Sequence, residues 1–173
     1  MTPLLADAGC VLAPWRASHD APTVAWLGEP ALREDFGITT AVTLEGHRRW
    51  RAARPELIAW AIESDDRHVG NLLLDPCPRH ASAYLQIYLG EPAARGRGLG
   101  RRAMRLALDA AFGPLSLHRI WLHTRPGNVR AESLYLGLGF AREGLEREAI
   151  RRGQAFEDQW RWSLLAPEWR SEA

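Results

Sequence analysis

The stretch Arg95-Gly-Arg-Gly-Leu-Gly-Arg-Arg102 decides the fold, because a predicted strand ends just before it and a predicted helix begins within it. Residues 82–89 precede it and read Ser-Ala-Tyr-Leu-Gln-Ile-Tyr-Leu, which is typical of a strand. After Gly98 the apolar residues recur at helical spacing, at Leu99, Ala103, Leu106, Ala107 and Ala110. The segment is therefore a strand-to-helix connection, and residues 90–97 form its loop.

Glycines and arginines give this connection its chemistry. The three glycines between Gly96 and Gly100 let the backbone approach a ligand closely. The N–H groups at the start of a helix favour an anion, and the helix dipole adds to this preference. Arginines at positions 95, 97, 101, 102 and 105 place further positive charge around them. The connection predicts a site for a diphosphate group.

Other elements extend from this segment in both directions. Strands are predicted at residues 11–15, 56–63, 68–74, 82–89, 119–124, 143–150 and 156–165. Helices are predicted at residues 21–27, 43–53, 98–112 and after Asn128, whereas residues 30–40 are interpreted as irregular. This order predicts one α/β (α+β) domain over residues 1–173, with a mixed, mostly antiparallel sheet and helices on both faces. The strands at 82–89 and 119–124 should be parallel, because one helix connects them.

Composition narrows the class of protein. The chain has 173 residues, 46% of them apolar, and a net charge of +1. A net charge this close to zero is not typical of a general polyanion binder. No apolar run approaches the roughly 20 residues of a membrane helix. The two cysteines do not make a disulfide framework, and neither has a partner at metal-ligand spacing. We expect a cytoplasmic protein with no metal and no nucleic-acid or membrane partner.

The glycine-rich connection has two other interpretations. It could be a structural turn with a solvated arginine face. It could also be a dinucleotide site, since Gly98-x-Gly100-x-x-Ala103 matches G-x-G-x-x-A. That fingerprint requires an acidic residue about 20 positions later, at the end of the next strand. The strand at 119–124 carries no carboxylate, which disfavours the dinucleotide interpretation.

Two motifs in sequence resemble a known family. Arg95-x-x-Gly98-x-Gly100 resembles the pyrophosphate loop of the GNAT superfamily of N-acetyltransferases. Residues 128–140, with Asn128, Ala131, Leu134-Tyr135 and Gly139-Phe140, resemble the later helix of that family. The closing hairpin at 147–158 is similar to the branch that acetylates ribosomal-protein N-termini, polyamines and antibiotics. The resemblance covers about residues 9–165, and it implies a GNAT fold whose six- to seven-stranded sheet is splayed at its centre.

The resemblance also implies how acetyl-CoA would be held. Backbone groups of Ile87, Tyr88 and Leu89 would pair with pantetheine, with Leu89 beside the thioester. Residues 96–101 would hold the pyrophosphate through backbone N–H groups, and Asn128 would bond to the pantetheine arm. The full set of implied cofactor-binding residues is Ile87, Tyr88, Leu89, Arg95, Gly96, Arg97, Gly98, Leu99, Gly100, Arg101, Asn128, Ala131 and Tyr135.

The reaction implied by the resemblance is direct attack of a primary amine on the acetyl thioester in a ternary complex. Tyr135 would donate a proton to the departing thiolate. The strand at 82–89 lacks the carboxylate that many relatives use as base, so His123 becomes a candidate base. Residues 26–50 and the last hairpin would wall the acceptor pocket. Within them, Glu34 and Asp35 are other candidates for the base and candidates for binding a cationic acceptor. The alternative is a non-catalytic domain that binds or senses acyl-CoA, and analogy with relatives makes a homodimer possible.

Overall fold

The computed structural model describes residues 2–170, which form one eight-stranded sheet with helices on both faces. The strands are β1 (Leu5–Asp7), β2 (Cys10–Pro14), β3 (Ile58–Ser64), β4 (Arg67–Cys77), β5 (Ser82–Leu89), β6 (Arg119–Thr124), β7 (Ala141–Arg152) and β8 (Ala155–Leu165). The helices are α1 (Asp20–Gly28), α2 (Pro30–Asp35), α3 (Leu44–Ala52), α4 (Leu99–Phe112) and α5 (Val129–Gly137). The predicted fold class is confirmed, with eight strands instead of six or seven.

The sheet is split at its centre. Its strand order is β1-β2-β3-β4-β5-β6-β8-β7, and β5 and β6 are its parallel pair. These two strands pair only from Ser82–Arg119 to Tyr84–Trp121, although β5 continues to Leu89 and β6 to Thr124. The expected splay is therefore present, and it leaves one backbone edge of residues 85–89 facing a gap.

Successive side chains of each strand point to opposite faces of the sheet, so a layer of side chains lies on each face. Leu72, Leu85 and Leu122 belong to the main core, which also contains Met104 and Leu108 of α4. On the other face, Asn71 of β4 bonds to Thr23 of α1 at 2.8 Å. Helices α4 and α5 thus cover one face, while α1 to α3 cover the opposite one.

One prediction about the N-terminal half was wrong, and one strand was not predicted. Residues 30–40 were expected to be irregular, but residues 30–35 form α2. Pro30 stands at the first helical position, where its fixed φ suits a helix and its missing N–H has no cost. Strand β1 was not predicted, and it pairs with β2 through a turn at Ala8 and Gly9, which have φ values of 33° and 82°. This hairpin accounts for the additional strand.

The predicted starts of α3 and α5 are confirmed, whereas α1 begins at Asp20 without a side-chain cap. The Thr43 hydroxyl accepts a hydrogen bond from the Gly46 N–H at 3.1 Å and caps α3. The Asn128 side chain accepts one from the Ala131 N–H at 3.2 Å and caps α5. Within residues 2–170, no helix combines the length and the apolar character needed to cross a membrane.

Candidate active site

The gap between β5 and β6 opens into a cleft of about 420 Å³. The second half of β5, the glycine-rich connection and α5 line it, and α2 reaches it from the other face of the sheet. The predicted site residues that line it are Asp35, Ile87, Tyr88, Leu89, Arg95, Gly96, Gly98, Leu99, Gly100, Arg101, His123, Asn128, Ala131 and Tyr135. One cleft therefore brings together most of the residues predicted from separate parts of the sequence.

The glycine-rich connection takes a conformation that suits an anion. Gly96 and Gly98 have φ values of 77° and 76°, in the left-handed region that favours glycine. A hydrogen bond from the Arg102 N–H to the Gly98 carbonyl, at 3.2 Å, closes the first turn of α4. The N–H groups of residues 99–101 precede that bond and have no partner within the helix. They form a cradle at the positive end of α4.

The arginines of this connection are held by backbone and surface groups. Arg95 donates to the Leu89 carbonyl at 3.1 Å and so ties the loop to the end of β5. Arg101 donates to the Gly137 carbonyl at 2.9 Å, which links α4 to α5. Arg97 lies outside the cleft lining and pairs with Asp65 at 3.1 Å. The arginines thus fix the shape of the loop as well as supplying positive charge.

Tyr135 is buried on α5 at the inner end of the cleft. Its ring packs against Phe140 and Trp162, with ring centroids 5.7 Å and 6.2 Å away. Burial, with smaller contributions from Tyr84 and Asp35, raises the pKa of Tyr135 well above its ordinary value. The hydroxyl therefore stays protonated at any ordinary assay pH and can act as a hydrogen-bond donor in the cleft.

His123 also lines the cleft, where its Nε2 lies 3.1 Å from Glu146. Burial lowers the pKa of His123, although Glu146 partly opposes this effect. For Glu146 itself, burial alone would raise the pKa, but the bond from Gln159 and the charges of His123 and Arg161 outweigh it. At neutral pH the site thus holds a neutral imidazole beside an ionised carboxylate, which is an arrangement able to accept a proton.

Glu34 and Asp35 lie on α2 beside Arg125. Arg125 is 2.9 Å from Glu34 and 4.0 Å from Asp35, and its Nε is 3.4 Å from Glu157. Glu157 also pairs with Arg152 at 2.6 Å. These carboxylates therefore already have cationic partners at the mouth of the cleft.

A second cavity of about 430 Å³ lies on the other side of β5. It meets the cleft at Phe36, Gln86 and Tyr88, which line both spaces. Its other walls come from α1, α3, β4 and the segment between α2 and α3. Most of its lining residues fall within residues 26–50, the segment expected to wall the acceptor pocket, and His47, Trp50 and Arg51 occur at i, i+3 and i+4 and so share one face of α3.

Tyr88 is fixed at the junction of the two spaces. Asn71 donates to the Tyr88 hydroxyl at 2.6 Å and to Thr23 at 2.8 Å. The Asn71 carbonyl oxygen lies 2.8 Å from Nε2 of His68. Burial raises the pKa of Tyr88 to about 12, so its hydroxyl is neutral. The junction is therefore a rigid, uncharged wall.

The sheet is split between β5 and β6, and the anion cradle at the start of α4 lies beside this split. The arrangement defines a class of domain suited to a long ligand that carries phosphate and crosses the sheet. Direct comparison gives the family: residues 23–140 match the Acetyltransferase (GNAT) family, and the chain belongs to it. This confirms the resemblance seen in the two sequence motifs. The absence of a carboxylate in the described residues of β6 had already disfavoured a dinucleotide site.

The chain matches its curated relatives over only part of their length. A probable N-acetyltransferase of Bacillus subtilis, YjcK, is 33% identical over 61% of this chain and 59% of that protein. Spermidine N(1)-acetyltransferase of Vibrio cholerae is 36% identical over 50% and 49%. The N-alpha-acetyltransferase RimI of Mycobacterium tuberculosis is 43% identical over 35% and 36%. The chain thus spans about three-fifths or less of each of these relatives.

Solved structures share the whole fold. Spermidine N-acetyltransferase from Vibrio cholerae, in complex with CoA and spermine, has a TM-score of 0.86 at 21% identity, covering 94% of this chain and 98% of that one. RimJ from Mycobacterium smegmatis, in complex with CoA-disulfide, has a TM-score of 0.81 at 22% identity, covering 96% and 87%. At these identities the likeness is one of fold.

Proposed function

We propose that the protein transfers an acetyl group from acetyl-CoA to a primary amine by direct attack in a ternary complex. The observation that carries this proposal is the junction of the two spaces at Gln86 and Tyr88. The cleft offers an anion cradle and a hydroxyl donor, while the second cavity offers room for another molecule. Two substrates could therefore meet at β5.

In this proposal, acetyl-CoA lies along the free edge of β5. The N–H groups of residues 96–101 bind the pyrophosphate, and Arg95 keeps the loop against Leu89. Ile87, Tyr88 and Leu89 offer backbone groups to the pantetheine arm. Asn128 uses its Oδ1 to cap α5, so its Nδ2 group is the part that donates to pantetheine, beside Ala131.

The chemistry requires a neutral amine, a stabilised oxyanion and a protonated leaving group. The amine attacks the thioester carbonyl, the carbon–nitrogen bond forms, and the carbon–sulfur bond breaks. A backbone N–H near Leu89 stabilises the negative oxygen. Tyr135 gives its proton to the departing sulfur, and His123, oriented by Glu146, accepts the proton that the amine loses.

The burial and position of the two cysteines are consistent with direct attack by the amine. Cys10 is buried, and burial raises its pKa to about 11. A thiol with this pKa is protonated at neutral pH and is a poor nucleophile. Cys77 is exposed on the strand end of β4, away from the residues that line the cleft. A covalent acetyl-enzyme is therefore not part of the proposal.

Calorimetric titration with acetyl-CoA, with NADH as the control, tests the proposal first. We expect micromolar binding of acetyl-CoA that weakens with salt, and none of NADH. A screen of primary amines, with release of CoA thiol as the signal, then separates a transferase from a domain that only binds acyl-CoA. Binding without turnover on any amine would favour the non-catalytic alternative, and no binding would reject both.

A further inference from the structure

We infer that the amine acceptor carries an anionic group on an apolar or aromatic body, and that Arg51 binds this group in the second cavity. The inference rests on the proposed function, because it assigns the second cavity to the acceptor. It names a substrate class different from the polyamine named for one of the relatives.

The side chains that line the second cavity favour an acceptor with a large apolar part. Four aromatic side chains, Trp15, Phe36, Trp50 and Tyr88, line it together with aliphatic residues such as Ile38. Among the described residues that line this cavity, Arg51 is the one with a formal charge, and none is a carboxylate. A polycation would therefore enter without a counter-charge, which is unfavourable in a partly enclosed space.

The positive charge of Arg51 is only loosely matched. Its Nη1 is 3.7 Å from the Oδ1 of Asp20, beyond hydrogen-bond distance, and its guanidinium lies 4.5 Å from the centre of the Trp15 ring. Asp20 has closer partners, since Trp15 and Arg48 each donate to it at 2.9 Å. Because Arg48 already balances the charge of Asp20, the charge of Arg51 is in excess.

Two buried side-chain nitrogens beside the cavity have no hydrogen-bond partner among residues 2–170. They are the Nε of Arg51, which is a donor, and the Nε2 of His47, which lies 3.7 Å from the Oδ1 of Asp20. His47 is only 7% exposed, and both residues line the cavity. A buried donor without a partner is costly, and a carboxylate or phosphate oxygen of a bound acceptor would satisfy it.

The carboxylates nearest the cleft do not compensate for this positive charge. Glu34, Asp35 and Glu157 already lie within ion-pair distance of Arg125, and Glu157 also pairs with Arg152. A polyamine would have to displace these arginines before it could use the carboxylates. Excess positive charge therefore lies in the second cavity, at Arg51, and the anionic group is assigned there.

Matched amines test the inference. L-Phenylalanine is compared with phenethylamine, and 4-(aminomethyl)benzoate with 4-methylbenzylamine, so that each pair differs by one carboxylate and covers a different spacing from the amine. Spermidine is the polycation. We expect at least one carboxylated member to have a kcat/KM about tenfold or more above its carboxylate-free counterpart, and above spermidine by a larger factor.

Variants of α3 identify the residue responsible. Arg51→Gln should abolish the preference within the pair by lowering the kcat/KM of the carboxylated member, and Arg51→Lys should retain part of the preference. Arg49→Gln is the matched control, since Arg49 is exposed on the same helix and pairs with Glu45. Binding of 4-(aminomethyl)benzoate to the protein alone, followed by tryptophan fluorescence, should weaken in Arg51→Gln only.

The outcomes separate this inference from the proposed function. Spermidine as the best acceptor, or an undiminished preference in Arg51→Gln, would overturn the inference and leave the acetyl transfer standing. Turnover of none of these amines by a protein that binds acetyl-CoA would also overturn it. Failure to bind acetyl-CoA would instead reject the proposed function.

Discussion

The cleft and the second cavity lie on either side of β5, and they are built from different kinds of group. The end of the cleft nearest α4 presents the backbone N–H groups of residues 99–101, and β5, β6, α2 and α5 line the rest of it. The second cavity is formed by side chains from several separated segments. A site made of backbone suits a ligand common to a whole family, whereas a site made of side chains can differ from one member to the next. The proposed function thus assigns chemistry and specificity to opposite sides of one strand.

The largest expected effect concerns the hydroxyl of Tyr135. Tyr135→Phe keeps the ring against Phe140 and Trp162 but removes the donor to the departing sulfur. We expect kcat to fall about 100-fold or more, because acid catalysis contributes factors of this size. Steady-state kinetics measures kcat, and calorimetry should show an unchanged Kd for acetyl-CoA. A kcat close to that of the wild type would remove Tyr135 from the chemistry and leave it as a wall of the cleft.

The anion cradle is tested by adding a charge to it. Gly98→Asp places a carboxylate at the start of α4, where the proposal places pyrophosphate, so the Kd for acetyl-CoA should rise about 100-fold. Part of any effect comes from the positive φ of Gly98. Gly153→Asp is the matched control, since Gly153 has a φ of 58°, has open space around its Cβ position, and lies in the β7–β8 turn. Equal losses in the two variants would mean that strain, and not the cradle, causes the change.

A pH profile tests His123 as the proton acceptor. His123 can accept a proton only when neutral, and burial lowers its pKa below 6.5. The kcat at saturating substrates should therefore stay level as the pH falls to about 6.5 and decrease only below that value. His123→Gln should lower kcat about tenfold and remove the acid limb. Because Glu146 raises the pKa of His123, Glu146→Gln should move the limb to lower pH, and a limb that moves upward would contradict the assignment.

The cleft could be predicted from sequence because its features are local. Positive φ at Gly96 and Gly98 and the cap at Asn128 each depend on a few neighbouring residues. The second cavity and the ion pairs at the mouth of the cleft depend on packing between distant segments. Thr23 meets Asn71 across 48 positions, and Arg125 meets Glu34 across 91. In the sequence Glu34 has no evident partner, whereas in the structure it pairs with Arg125. No sequence pattern indicates a pair between such distant residues.

The smallest expected effect distinguishes two roles of the Asn128 side chain, which are to cap α5 and to bind acetyl-CoA. Asn128→Asp keeps an oxygen that can accept from the Ala131 N–H, and a carboxylate at a helix start is favourable, so the free energy of unfolding should not fall. The variant loses the Nδ2 donor, and the Kd for acetyl-CoA should rise about fivefold, which corresponds to one hydrogen bond. Thr43→Ala gives the opposite pattern, because it removes the cap of α3 and should cost about 1 kcal/mol without changing that Kd. If Asn128→Asp bound acetyl-CoA as the wild type does, Asn128 would serve only as a cap, and the cleft would hold pantetheine through its backbone alone.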